Sequence, residues 1–222
     1  MKSMILAAGR GERMRPLTDH KPKPLLRAGG KALIEYHIEA LVRAGIRDII
    51  INHAHLGEQI EAALGRGAEY GARLAYSPEP DGALETGGAI RHALSWLGEG
   101  PFLVVNGDVW TDFDYQTLPA DFDGQAFLVL VDNPEQHPQG DFCLHDGRVF
   151  ECEGSRLTFS GIGLYRAALF SGVAPGRFPL APLLRAAMAH HAVAGMRYAG
   201  LWSDIGTPER LEALDKLLRR SG

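Results

Sequence analysis

The residues with the clearest capacity for chemistry begin at Ala7–Leu17, AAGRGERMRPL, directly after the apolar run Met4-Ile5-Leu6. Gly9 and Gly11 are expected to adopt positive φ and to bring bare N–H groups close to an anion, while Arg10, Arg13 and Arg15 supply charge. Residues 10–31 hold seven cations (Arg10, Arg13, Arg15, Lys21, Lys23, Arg27, Lys31) and two acids (Glu12, Asp19), a local +5 in a chain whose net charge is −4. A basic site in an otherwise acidic protein points to one small polyanion, because nucleic acid calls for a broad basic face.

Two common phosphate motifs do not account for this loop. A P-loop needs GxxxxGK followed by Ser or Thr, whereas Gly30-Lys31 is followed by Ala32 and Leu25 stands where the first glycine belongs. The dinucleotide fingerprint GxGxxG begins with Gly9 and Gly11 but meets Met14 at its third glycine.

Two carboxylates end or follow strand-like segments elsewhere. Phe102-Leu103-Val104-Val105 leads into Asn106-Gly107-Asp108, and Trp202-Ser203-Asp204-Ile205-Gly206-Thr207-Pro208 carries Asp204. Alone, each aspartate reads as a turn or cap residue. Beside a phosphate loop the pair suits Mg²⁺, which takes one or two protein carboxylates and draws its other oxygens from phosphate and water. Asp112-Phe113-Asp114 has the spacing of a glycosyltransferase metal motif but follows the better-placed Asp108.

Other polar residues carry less. His53 and His55 lack a third ligand at a recognisable spacing and read as loop or core histidines; His190 and His191 close a helical segment as dipole partners. Arg156 and Arg166 read as solvated charges. Trp110 is equally suited to lining a sugar pocket and to packing. Cys143 and Cys152, nine residues apart, read as unpaired small side chains of a reduced protein.

The elements that position these groups follow from hydrophobic periodicity. Strands are expected near 2–7, 48–52, 73–76 and 102–106, alternating with helices at Leu33–Ala44 (stripe Ile34, Ile38, Leu41, Val42) and Gly87–Leu97 (stripe Ile90, Ala93, Leu94, Leu97). This pattern predicts an α/β fold, a Rossmann-like, mostly parallel sheet flanked by helices. The second half changes to short strands at 126–131, 142–145, 149–152 and 157–165, a small antiparallel subregion beside the first half. Thr207-Pro208 opens a final helix, and the loop 132–140 is expected to be the most mobile. A single domain is expected over 1–222, with a nucleotide half of about 1–115 and a sugar-binding half of about 116–222. At 45% apolar residues, with no run of 18 to cross a membrane and an N-terminal run too short for a signal peptide, a soluble, cytoplasmic protein is expected.

Taken in order, AGRGERMRPLT, the Pro22-Lys23-Pro24-Leu25-Leu26 that follows it, NGD and WSDIGTP resemble the sugar-phosphate nucleotidyltransferases, the nucleoside-diphosphate-sugar pyrophosphorylases, whose signature runs GGxGTRLxPLT, PKPLL, GD and WxDIGTPxxL. Ala8 and Glu12 depart from that signature. The resemblance implies a GT-A-like nucleotidyltransferase fold, and a reaction in which a sugar 1-phosphate attacks the α-phosphorus of a nucleoside triphosphate, releasing pyrophosphate. It implies Arg13 and Lys23 as catalytic residues, and Asp108 and Asp204 as Mg²⁺ ligands. It also implies a nucleotide-binding set of Ala7, Gly9, Gly11, Glu12, Arg13, Lys23, Glu85 and Gly88, with the stretch Glu79–Ala89 meeting the base. On the sugar side it implies Asn106, Asp141, Glu153 and Gly161, although the lysine that often follows the glutamate is Gly154 here.

Within the family, LETGGAI and LVVNGDVWTD, with no C-terminal left-handed β-helix, resemble the uridylyltransferases that act on N-acetylmuramate 1-phosphate in cell-wall recycling. UTP would then be the nucleotide. Mannose 1-phosphate guanylyltransferase and glucose 1-phosphate uridylyl- or thymidylyltransferase stand as alternatives, and a non-catalytic nucleotide-sugar-binding module as a rival of another class. A monomer is compatible with each. The absence of a Ser/His/Asp arrangement fits the reaction, since a phosphate monoester with a second pKa of about 6 is already an anionic nucleophile at neutral pH.

Overall fold

The computed structural model describes residues 1–79 and 83–220. The strands and helices run, in chain order, β1 Lys2–Leu6, β2 Arg27–Ala28, β3 Lys31–Ala32, α1 Leu33–Arg43, β4 Asp48–His53, α2 Gly57–Leu64, β5 Arg73–Pro78, α3 Glu85–Leu97, β6 Phe102–Asn106 and β7 Val109–Thr111. They continue with β8 Ala126–Val131, β9 Cys143–His145, β10 Arg148–Phe150, β11 Thr158–Tyr165, α4 Ala181–Ala189, β12 Val193–Tyr198, β13 Trp202–Asp204 and α5 Pro208–Arg220.

Among the described residues one nine-stranded sheet runs β5-β4-β1-β6-β11-β8-β12-β10-β9, with small antiparallel sheets β13-β7 and β2-β3 beside it. The parallel sheet expected of the first half is β5-β4-β1-β6. The antiparallel segments extend this same sheet: β11 pairs antiparallel with both β6 and β8, while β12 runs parallel to β8.

Side chains alternate across a strand, so adjacent residues of β1 serve opposite cores. Ile5 joins Ile34, Ile38 and Leu41 of α1 and Ile60 and Leu64 of α2 on one face. Met4 joins Ile90, Ala93 and Leu97 of α3 and Leu184 and Met188 of α4 on the other. Both Met4 and Ile5 are fully buried, each contributing about 1.5–3 kcal/mol by leaving water. Chain order thus places α1 and α2 on one face and α3 on the other, and the reversal falls between β1 and β6. At such a switch point the loops leaving two neighbouring parallel strands diverge and open a crevice.

A third cluster, Met14, Leu26, Ala28, Leu33, Trp110, Ile205 and Leu214, lies outside the sheet. It pins the glycine loop through Met14, which is fully buried, and settles Trp110 as a packing residue. Helix α5 docks through the same cluster, and the Gly29 N–H donates to Asp215 Oδ1 at 2.8 Å. Thr207 opens α5 as expected, its carbonyl accepting from Leu211 N–H at 3.1 Å.

Two expectations are corrected here. Cys143 and Cys152 are not unpaired: the hairpin of β9 and β10 brings their Cα atoms to 6.0 Å, and they form a disulfide. Only Gly11 of the loop glycines has positive φ, at 68°. Gly9 contributes open space instead, since a Cβ there would meet nothing within 4 Å. Among the described residues no helix is long and apolar enough to cross a membrane.

Candidate active site

The crevice beyond the carboxyl ends of β1 and β6 has a volume of about 360 Å³. Ala7, Gly9, Gly11, Glu12, Arg13, Lys23, Glu85, Asn106 and Asp108 all line it. Nine of the fourteen site residues proposed from sequence are therefore brought to one place.

The glycine loop is held open by its own backbone. Met14 N–H donates to the Gly11 carbonyl at 2.8 Å, and Thr18 Oγ1 donates to the same carbonyl at 2.9 Å. A Cβ on Gly11 would lie 3.0 Å from Thr18 Cγ2 and 3.3 Å from Lys23 Cβ, so the bare glycine gives the lysine stem its path. Lys23 opens a 3₁₀ turn over Lys23–Leu25, and its side chain is 8% exposed. Its Nζ donates to Asp108 Oδ2 at 2.8 Å. A buried ammonium needs such a partner, or an anion in its place.

Of the seven cations in residues 10–31, Arg13 and Lys23 face the crevice. Three others are paired off: Arg10 with Glu12 at 3.2 Å, Arg15 with Asp19 at 2.7 Å and Lys31 with Glu39 at 2.7 Å. Arg27 turns back to the Gly30 carbonyl at 3.1 Å.

Asp204 is not among the residues lining the crevice, but strand pairing brings it alongside. Asp204 of β13 pairs with Val109 of β7, and Ile205 N–H donates to the Asp108 carbonyl at 2.7 Å. The Asp204 carboxylate accepts from Gln136 Nε2 at 2.6 Å and pairs with Arg210. Gly206 completes the contact: a Cβ there would sit 3.0 Å from Arg13 Nη2 and 3.1 Å from Asp204 Oδ2. Two oxygen donors anchored to adjacent strands, at the mouth of a phosphate loop, fit a hard divalent cation that takes its remaining oxygens from phosphate. Among the described residues no group of three or more His, Cys, Asp or Glu forms an all-protein metal cage.

Sequence reasoning took Glu79 only as the start of the base-binding stretch and missed its pairing with Asn52 in the crevice wall. Asn52, 2% exposed at the end of β4, accepts the Ala7 N–H on Oδ1 at 2.8 Å and donates Nδ2 to Glu79 Oε1 at 2.7 Å. Glu79, 4% exposed just after β5, accepts the Leu84 N–H on Oε2 at 2.7 Å. The pair ties the glycine loop to the start of α3. The signal was present: polar residues directly after Ile49-Ile50-Ile51 and Tyr76-Ser77-Pro78, where parallel strands deliver their loops.

Several expected site residues lie elsewhere or act indirectly. Gly88 is packed on backbone, a Cβ there meeting the Gly176 carbonyl at 2.2 Å. Glu85 has φ 61° and accepts from Arg177 Nε at 3.0 Å. Gly161, with φ 79°, leaves room for Asn106, whose Nδ2 would be 2.7 Å from a Cβ. Asp141 is engaged by Phe159 N–H at 2.8 Å and by His137 Nε2 at 3.0 Å. Glu153 lines a separate groove with Asn133, Gln139 and Arg156. The loop 132–140 is anchored through Asn133 Nδ2, which donates to the Arg156 and Pro138 carbonyls at 3.0 and 3.1 Å. Pro80, Asp81 and Gly82 of the expected base-binding stretch lie outside the described residues.

The remaining metal-like motifs have partners of their own and do not line the crevice. Tyr198 OH donates to Asp112, and Asp114 Oδ1 caps Gln116 N–H at 3.0 Å. His53 pairs with Glu61 at 2.7 Å. The fully buried His37 of α1 is held by the Val109 backbone, and desolvation drives its pKa down to about 4, partly opposed by that hydrogen bond and by Asp108.

Residues 2–144 match the family model described as nucleotidyl transferase. The chain is 52% identical to the N-acetylmuramate alpha-1-phosphate uridylyltransferase of Neisseria meningitidis serogroup B, covering 98% of each. It is 35% identical to the enzyme of the same name from Caulobacter vibrioides, covering 93% of this chain and 92% of that one. A protein assigned as a glucose-1-phosphate thymidylyltransferase from Bacillus anthracis superposes with a TM-score of 0.88 at 24% identity, over 99% of this chain and 95% of that one. That likeness shows the fold.

Proposed function

This chain belongs to the nucleotidyl transferase family, and from that premise we propose that it joins UTP and N-acetylmuramate 1-phosphate, giving UDP-N-acetylmuramate and pyrophosphate. The observation that carries the substrate choice is the 52% identity, over 98% of both chains, to a uridylyltransferase of that sugar phosphate. The crevice supports the reaction class: glycine-loop amides, an inward lysine and the Asp108 carboxylate line it at the switch point, and Asp204 lies beside it on the strand paired with β7. A place in peptidoglycan recycling and a cytoplasmic site of action accompany this reading. Residues 1–222 would work as one domain, nucleotide on the first half and sugar on the second.

The transfer brings two anions together and then disperses the charge of departing pyrophosphate. Lys23, its side chain buried against Asp108, would exchange that carboxylate for phosphate oxygens. Arg13, seated against Gly206, would face the leaving group. The open backbone at Gly9 and the positive φ of Gly11 leave amide groups able to approach the phosphates. Asn52 and Glu79 would fix the spacing between the phosphate loop and the base-binding segment. Asn106, held against Gly161, would meet the sugar. Asp108 and Asp204 would hold Mg²⁺, which supplies charge neutralisation on the phosphate oxygens when bound. The sugar phosphate is its own anionic nucleophile, so no general base is assigned.

The test is Mg²⁺-dependent pyrophosphate release across UTP, dTTP, GTP, CTP and ATP, each paired with N-acetylmuramate, N-acetylglucosamine, glucose or mannose 1-phosphate. Release confined to UTP with N-acetylmuramate 1-phosphate is expected. Release with another pair would keep the reaction and discard this substrate assignment; nucleotide binding without release from any pair would leave a binding module.

A further inference from the structure

We propose that Arg210 is a positioning residue that sets how tightly the enzyme alone holds a divalent cation at Asp204. The inference rests on the reading of Asp204 as a cation ligand. Arg210 lies in the first turn of α5, where its Nη1 contacts Asp204 Oδ2 and lies 3.3 Å from the Asp204 carbonyl. The two side chains are 24% and 27% exposed, so water screens their attraction only in part. Gln136 Nε2 engages the other carboxylate oxygen at 2.6 Å. Both oxygens of Asp204 are thus taken by the chain's own donors, and one donor is a full positive charge.

A divalent cation arriving at Asp204 must share or displace the guanidinium and then sit beside it. Arg210 cannot lose its proton to relieve the repulsion. The partner carboxylate, Asp108, is likewise matched by Lys23. An enzyme without nucleotide is therefore close to charge-balanced at its metal site and holds the cation weakly. A triphosphate supplies the additional anionic oxygens that tip the balance. Arg210 meanwhile grips the Asp204 backbone and side chain together, fixing the direction from which the carboxylate is offered.

The experiment is Mn²⁺ binding to the nucleotide-free protein, followed by the electron paramagnetic resonance signal of the free ion. Arg210→Gln is expected to tighten binding at least fivefold, and Arg210→Met, which keeps an apolar stem, to do the same. Arg210→Lys is expected to stay within twofold of wild type, and Gln136→Ala, which removes a neutral donor, to shift affinity less than twofold. Unchanged or weaker Mn²⁺ binding in both neutral variants would overturn the proposal. Adding Asp204→Asn to Arg210→Gln is expected to weaken Mn²⁺ binding at least tenfold relative to Arg210→Gln alone. If the gain survives that change, the reading of Asp204 as a ligand is what fails.

Discussion

Lys23 shows how one side chain can be both structural and reactive. Its ammonium is buried against Asp108 at 2.8 Å, while Arg13, the other cation of the basic window that lines the crevice, lies against Gly206. Lys23→Ala is expected to lower the rate of pyrophosphate release about 10²-fold, roughly 3 kcal/mol, as for loss of an oxyanion donor; initial rates at saturating substrates check this, and a rate within threefold of wild type would remove Lys23 from the mechanism. Asn52 makes a different case, because its amide has a donor on one side and an acceptor on the other. Asn52→Ala strands the Ala7 N–H and a Glu79 oxygen, an expected loss of about 1–3 kcal/mol. Thermal unfolding and UTP affinity should fall together; if UTP affinity holds while stability drops, the pair is only a structural brace. Glu79 entered only as the first residue of the expected base-binding stretch and Asn52 was not singled out, since the pairing of an asparagine and a glutamate that follow two strands is invisible until those strands are known to be neighbours. That Arg13 and Lys23 would share one crevice was legible because the motifs that carry them are long and local.

At the level of elements, four strands and two helices of the first half were readable from periodicity alone, as β6 at Phe102–Asn106 and α1 from Leu33 illustrate, whereas the eight-residue α2 and the short strands β2, β3 and β7 were not. What periodicity does not carry is pairing. The second-half strands read as a small subregion, and their register shows them instead continuing the main sheet through β11. The cysteine pairing was hidden for the same reason, because it depends on the β9–β10 register that sets Cys143 opposite Phe150. β11 itself shifts register against β8 between Phe159 and Ile162, and Gly161 lies in that irregularity with φ 79°. Gly161→Ala would place a methyl group 2.7 Å from Asn106 Nδ2. The expected outcome is a loss of about 1–3 kcal/mol in stability and a larger rise in KM for the sugar phosphate than for UTP. Equal rises in both would mean that the strand reports to the whole crevice rather than to the sugar side.

Across the whole molecule, the buried His37 couples stability to pH. Its folded pKa of about 4 lies below the ordinary value of 6.5, chiefly through desolvation. Between those values the unfolded chain binds the proton and the folded one does not, so stability is unaffected above pH 6.5 and declines as pH falls towards 4. The full span is worth roughly 3 kcal/mol. Denaturant unfolding of wild type and His37→Leu at pH 7 and pH 4.5 checks this: the variant is expected to lose less stability over that range, and parallel losses would show that carboxylates dominate.

The continuity of the sheet has a further consequence for the reaction proposed above. Because β1 pairs with β6 and β6 with β11, the glycine loop that leaves β1 and the sugar-side Asn106 of β6 and Gly161 of β11 hang from successive strands about 5 Å apart in one sheet. Mutual orientation of two bound phosphates would then be a property of the folded backbone itself, equivalent to a high effective concentration of one reactant around the other. Such an enzyme has little to rearrange between binding and transfer, and solvent viscosity should leave its chemical step almost untouched.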